Sequence, residues 1–156
     1  EAIKADGTAR PEARIWALNK QSDRSDNTIT YSYTEDQTNG SYRINRIDYG
    51  GNATAGTTAT SSVRFVYEDR TDIRTWYQAG AKITQDKRLK NVQTYEAETL
   101  VADYKLGYVN VGNLYPSKLV EITYCGVNEN CLKRLTITQE NVAEEFTESL
   151  VSNSWG

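Results

Sequence analysis

Apolar and polar side chains alternate with a period of two along much of this chain, and clusters of Gly, Asn, Asp, Ser and Thr interrupt the alternation. A period of two sends successive side chains to opposite faces of an extended backbone, so the pattern predicts strands. The first run begins at Arg14 and carries Ile15, Trp16, Ala17 and Leu18, after which residues 21–27 form a polar turn cluster. Thr28 to Tyr33 alternates cleanly, with Ile29, Tyr31 and Tyr33 on one face and Thr28, Thr30 and Ser32 on the other. Asn39-Gly40 tolerates positive φ and predicts a tight reversal. Beyond it Tyr42 and Ile44 hold even positions, whereas Ile47 and Tyr49 hold odd ones. A bulge between Ile44 and Ile47 would keep both pairs on one side of a sheet.

Residues 50–60, rich in Gly, Ala and Thr, read as a loop, and Ser62 to Tyr67 follows as a strand with Val63, Phe65 and Tyr67 facing together. The charged stretch 68–72 is expected to turn the chain, Ile73 to Tyr77 to resume it, and residues 78–80 to end it. Lys87 to Tyr95 has a patchier strand pattern. Leu100, Ala102, Tyr104, Leu106 and Tyr108 make the longest strict alternation. After a turn from Asn110 to Pro116, Val120, Ile122 and Tyr124 lead into the segment between Cys125 and Cys131, and Leu135 and Ile137 lead out.

About eight strands joined by turns, with no repeating helices to cover a parallel sheet, imply an all-β antiparallel meander. Periodicity leaves open whether it closes as a sandwich or lies as an open curved sheet. The β domain spans 14–140, residues 1–13 form a flexible or edge lead-in, and 141–156 form a short helix or linker around Val142 to Leu150. Trp16 and Trp76 place large side chains on both faces, which suggests packing against further sheet outside this segment.

Composition agrees: 11 Tyr, 3 Trp and no Met among 156 residues favour pleated surfaces on which aromatic and β-branched side chains pack across strands. A net charge of −3 with no basic stripe argues against a nucleic-acid partner. No stretch is long and apolar enough to span a bilayer as a helix, and the start at Glu1 is read as that of a fragment or processed chain. There is no histidine, which removes Ser-His-Asp and Cys-His catalysis and His-ligated zinc, and nothing implies a cofactor. The only cysteines, Cys125 and Cys131, bracket five residues of a hairpin-like loop. They form either a disulfide that closes the loop, implying an oxidising location, or a pair of reduced thiols.

The order of these runs resembles a known family. Ile15-Trp16-Ala17-Leu18-Asn19-Lys20, then the stretch from Asp23 to Tyr33, is similar to the strand-turn-strand unit of Rhs/YD-type shells. Ile47-Asp48-Tyr49 with Gly51-Asn52 adds to the likeness, as does the run from Val63 to Asp72. Lys87-Arg88-Leu89, Tyr104-Lys105-Leu106 and Ile122-Thr123-Tyr124-Cys125-Gly126 follow in order, with Cys131-Leu132 after them. Together they resemble the Salmonella virulence plasmid 65 kDa B protein family, including the N-terminal part of the Tc toxin B component, over roughly residues 14 to 140. Ser25-Asp26-Asn27 departs from the Gly that the family usually places before the Asn. The resemblance implies a non-catalytic structural module of a secreted or cell-surface bacterial toxin shell that encloses or helps deliver a toxic polypeptide. Its partners would be the remaining regions of the parent shell or another subunit.

Three further chemistries are open to these residues. Glu96-Ala97-Glu98 has the form of the ExE pair of the ADP-ribosyltransferase domain that some relatives of this family carry, with Arg43 and Thr60-Ser61-Ser62 upstream; its plainer reading is an acidic turn. Asp23, Asp26 and Asn27, or Asp69 and Asp72, offer oxygen ligands to calcium, against the plainer role of capping turns. Trp16, Trp76 and Tyr77 allow a carbohydrate-binding or adhesive module, against packing or interface roles for the same rings.

Overall fold

A computed structural model describes residues 2–4, 13–78, 80–110 and 116–138. Two short strands, β1 (Ala2–Lys4) and β2 (Ala13–Trp16), pair as an antiparallel ribbon. The other eight are β3 (Lys20–Ser22), β4 (Asn27–Asp36), β5 (Ser41–Asn52), β6 (Ser61–Gln78), β7 (Ala81–Glu96), β8 (Thr99–Val109), β9 (Lys118–Cys125) and β10 (Leu135–Thr136). They form one antiparallel sheet in the order β10-β9-β8-β7-β6-β5-β4-β3. This is a pure meander. Its first and last strands lie at opposite edges, so the sheet is open and not a barrel, and beyond the short ribbon no second layer of described strands makes a sandwich.

The register sorts the side chains by chemistry. One face carries the cross-strand rows Tyr31–Ile47–Val63–Thr94–Ala102 and Phe65–Val92–Tyr104–Tyr124, continued by Leu106–Ile122–Leu135. The other carries Thr30–Asp48–Ser62–Tyr95–Leu100 and Ser32–Arg46–Arg64–Gln93–Asp103–Cys125. Residues in register share a face, so the first is apolar and the second polar. Arg46 and Arg64 lie directly opposite each other, which by itself repels. Acidic neighbours offset the repulsion: Asp48 accepts from Arg46 at 2.6 Å and Glu98 from Arg64 at 2.8 Å. The Arg64 guanidinium also lies 3.9 Å from the centre of the Tyr95 ring.

Several bulges set the faces. Arg46 pairs with Ser32 and Ile44 with Tyr33, so Asn45 is the extra residue that the change of apolar phase anticipated. A second extra residue, Val101, was hidden by apparent alternation: Ala102 opposes Thr94 but Leu100 opposes Tyr95. Leu100 therefore lies on the polar face and not with Ala102 and Tyr104. A third irregularity corrects the expected turn at 68–72: β6 runs through it without reversing, with four residues between Asp69 and Arg74 opposite Asp86 alone on β7. β7 also starts at Ala81, well before Lys87.

The β6–β7 hairpin extends beyond its neighbours. β5 pairs with β6 only from Arg46 to Tyr49, and β7 with β8 only from Asn91 to Glu96, so the flanking hairpins splay from it. On one side Tyr67 donates its hydroxyl to Ile44 O at 2.8 Å, and Thr84 N donates to Asn39 O at 2.8 Å. On the other, the buried carboxylate of Asp72 accepts from Ser117 N at 2.6 Å, just ahead of β9. The lead-in expected to be flexible or an edge contributes β1, and the predicted helix or linker at 141–156 lies outside the described residues.

Candidate functional site

The β7–β8 turn places Ala97 in the left-handed region at φ 51°, with Glu96 and Glu98 on either side. Their carboxylates do not converge. Glu96 accepts from the Ser61 hydroxyl at 2.6 Å, and this bond, with Thr60 adding to it, holds its carboxyl below the usual range. Glu98 is likewise lowered, first by its hydrogen bond from Arg64. Of the upstream residues in the ExE reading, Ser61 lies beside Glu96, whereas Arg43 lies over the Tyr67 ring at 5.4 Å. Both carboxylates therefore neutralise or cap groups of their own sheet.

The acidic loops proposed for calcium are also engaged by protein donors. Asp23 accepts from Ser25 N at 2.8 Å, Asn27 N at 3.0 Å and Asn27 Nδ2 at 2.8 Å, so it caps its own turn. Asp26 accepts from the Thr54 hydroxyl, and Asp69 pairs with Lys87. Asp72 pairs through both oxygens with Arg70, at 3.1 and 2.6 Å. No group of three or more His, Cys, Asp or Glu is placed to hold a metal among the described residues.

Cys125 and Cys131 form a disulfide that closes the loop after β9. Cys125 is buried, and Gly126 N donates to Asn130 O at 2.9 Å inside the closed loop. Beside it, on the polar face, lies a pocket of about 280 Å³ lined in part by Leu100, Asp103, Lys105 and Glu129. Asp103 is buried and accepts from Asn91 Nδ2 at 2.8 and 3.0 Å, so it is committed to the sheet. The chain-entropy estimate for a loop this short is about 2.4 kcal/mol. Replacing both cysteines with alanine is expected to lower the unfolding free energy by about that amount, read from urea melts. An unchanged midpoint would show that the loop is held by its backbone bonds alone.

The aromatic candidates separate. Trp16 and Tyr77 are exposed, at 77% and 73%. Trp76 and Tyr77 are consecutive in β6, opposite Ile83 and Lys82, so they face opposite sides and cannot form one platform. Trp76 lines a cleft of about 120 Å³ with Arg14, Ser41, Tyr42, Ile83 and Gln85. Arg14 reaches across from β2 to donate to Gly40 O at 2.7 Å and Gln78 Oε1 at 2.8 Å, with its guanidinium 5.8 Å from the Tyr42 ring centre. Arg14, Ser41 and Gln85 had no signal in the sequence pattern as partners of Trp76, because they come from three separate segments. No family model matches the chain, and no curated protein matches it.

Proposed function

We propose that this chain is a non-catalytic structural β-module of a bacterial toxin-type shell, secreted or at the cell surface, which encloses or helps deliver a toxic polypeptide. The observation that carries the reading is the uncovered apolar face. A sheet that is apolar on one face is stable when that face is buried against another layer. Here Tyr49, Tyr104 and Leu135 remain exposed on it, and the described strands supply no such layer. Continuation of the wall, from the rest of the parent shell or another subunit, is the layer that fits. The ordered resemblance to Rhs/YD-type segments supports the shell, and the disulfide supports an oxidising compartment.

Sedimentation of the isolated chain over a range of concentrations tests this reading. The uncovered face is expected to drive self-association, and Phe65→Lys with Tyr104→Lys to return the chain to a monomer with its sheet signal retained. A concentration-independent monomer that binds no apolar dye would mean that the face needs no cover and would sink the proposal.

A further inference from the structure

Beyond the bulge at residues 70–73, β6 has a partner strand on one side only. Its ladder to β7 resumes at Arg74↔Gln85 and runs to Gln78↔Ala81 at the turn, whereas β5 pairs with it no further than Arg64. Every residue from Ile73 to Gln78 is exposed, on both faces of the strand. The register also fixes where the backbone groups of this segment point. In an antiparallel pair, residues that exchange hydrogen bonds alternate with residues whose N–H and C=O point outward. A two-residue turn closes on a bonded pair, here Gln78 and Ala81, so Trp76–Ile83 is bonded as well, and Tyr77–Lys82 and Thr75–Thr84 point outward. Thr84 agrees with this assignment, because its N–H leaves the hairpin to reach Asn39 O. Thr75 and Tyr77 therefore turn their N–H and C=O groups away from β7, and no described residue bonds to them.

A strand edge left open in this way is a template for another strand. The segment's own sequence says which strand fits. Paired antiparallel with itself about Trp76, it sets Trp76 opposite Trp76, Thr75 opposite Tyr77 and Arg74 opposite the neutral Gln78 of the second copy. Thr75 and Tyr77 then exchange the backbone bonds that each copy leaves unmade. The tryptophan pair falls at a non-bonded position, where side chains approach most closely, and adds its packing to those bonds. No charge faces a like charge. The two Arg74 side chains lie four residues apart along the paired strands, about 14 Å, which exceeds the screening length of about 8 Å at physiological salt. This register uses the regular part of the edge alone and leaves the bulge untouched.

We propose that the β6 edge from Arg74 to Gln78 pairs antiparallel with the same edge of a second copy of this chain, giving a two-fold symmetric sheet that runs β7-β6-β6-β7 across the contact. So short an edge buries less than the roughly 1,200 Å² of a stable interface, so the pairing is weak and forms at high protein concentration or where copies are held side by side. None of its residues belongs to the apolar rows of the open face, so edge pairing and the association driven by that face can fail independently.

The test follows amide hydrogen exchange from micromolar to millimolar concentration in the full chain carrying Phe65→Lys and Tyr104→Lys, or Tyr104→Lys alone should the pair unfold. Those substitutions remove association through the open face and leave the β6 edge as it is. The Thr75 and Tyr77 amides, free in the monomer, are expected to exchange about fivefold more slowly in the concentrated sample. Trp76→Lys, which sets like charges opposite each other at the centre of the pairing, should remove that slowing. Thr75→Pro should remove it at Tyr77, because proline takes away an outward N–H at an edge and no bond of the β6–β7 ladder. The amides of Trp76 and Ile83, bonded within the hairpin, report that the ladder is intact. Exchange at Thr75 and Tyr77 that does not change with concentration, or slowing at Tyr77 that persists in either variant with the ladder intact, would overturn the proposal.

Discussion

Replacing Asp72 with alanine is expected to lower the unfolding free energy by about 3 kcal/mol, a large share of the roughly 5–15 kcal/mol that stabilises an ordinary domain. Asp72 is 7% exposed, and its two oxygens take both Arg70 nitrogens and the Ser117 amide. The substitution leaves the Arg70 guanidinium covered without its counter-charge and the Ser117 N–H without an acceptor. Breaking a buried pair in this way typically costs about 3–5 kcal/mol, and the low end applies because only a single layer of sheet separates this site from water. Asp72→Asn, which can still accept from Ser117, should lose less. The pair also has a pH signature. The hydrogen bonds from Arg70 hold the Asp72 carboxyl well below the usual carboxylate range. A folded-state pKa below the unfolded value of about 3.9 contributes stability that is fully present above the unfolded value and is lost progressively as the pH falls from there through the folded-state value. The gap between wild type and Asp72→Ala should therefore narrow below about pH 4. Urea melts at neutral and acidic pH measure this, and a gap constant from pH 7 to about pH 2.5 would show that Asp72 acts through shape and not charge.

Ile83→Ala is the second large effect, about 2–5 kcal/mol, the range for truncating a fully buried aliphatic side chain. Ile83 is 1% exposed, opposes Trp76 across the β6–β7 hairpin and shares its cleft with Tyr42. Ala81, two residues away on β7, is also 1% exposed, so this end of the hairpin is buried where it meets the start of β5. The nearby Thr84 N–H, donated to Asn39 O, should lose protection from hydrogen exchange before the amides of the central strands do. A cost within about 0.5 kcal/mol, the range of surface substitutions, would mean that the cluster does not hold the hairpin.

Particular residues show how far the fold was legible. The alternation of Ile29, Tyr31 and Tyr33 predicted β4, and the shift of phase between Ile44 and Ile47 predicted the bulge that the structure places at Asn45. Both signals are local, because a half-buried strand writes its two faces into adjacent positions. The charged stretch 68–72 misled for the same reason. Polar residues ordinarily mark a turn, but here Asp72 is turned inward by Arg70 and by Ser117, which lies 45 residues away. Val101 was equally hidden, since its bulge becomes visible only when Leu100 and Ala102 are matched to Tyr95 and Thr94. Of the candidate site, Trp76 alone was singled out in advance. Arg14 and Ser41 join it only through the fold, from β2 and β5.

By itself, then, the amino-acid sequence determined an antiparallel all-β chain and the approximate number of its strands. Short-range periodicity and turn chemistry are enough for that. Only the tertiary structure decided that Cys125 and Cys131 are bonded, that the sheet stays open, that Glu96 and Glu98 serve separate partners, and that Trp76 lines a cleft while Tyr77 faces the other side. These outcomes depend on register and on contacts between distant segments, where one extra residue moves a side chain from one face to the other.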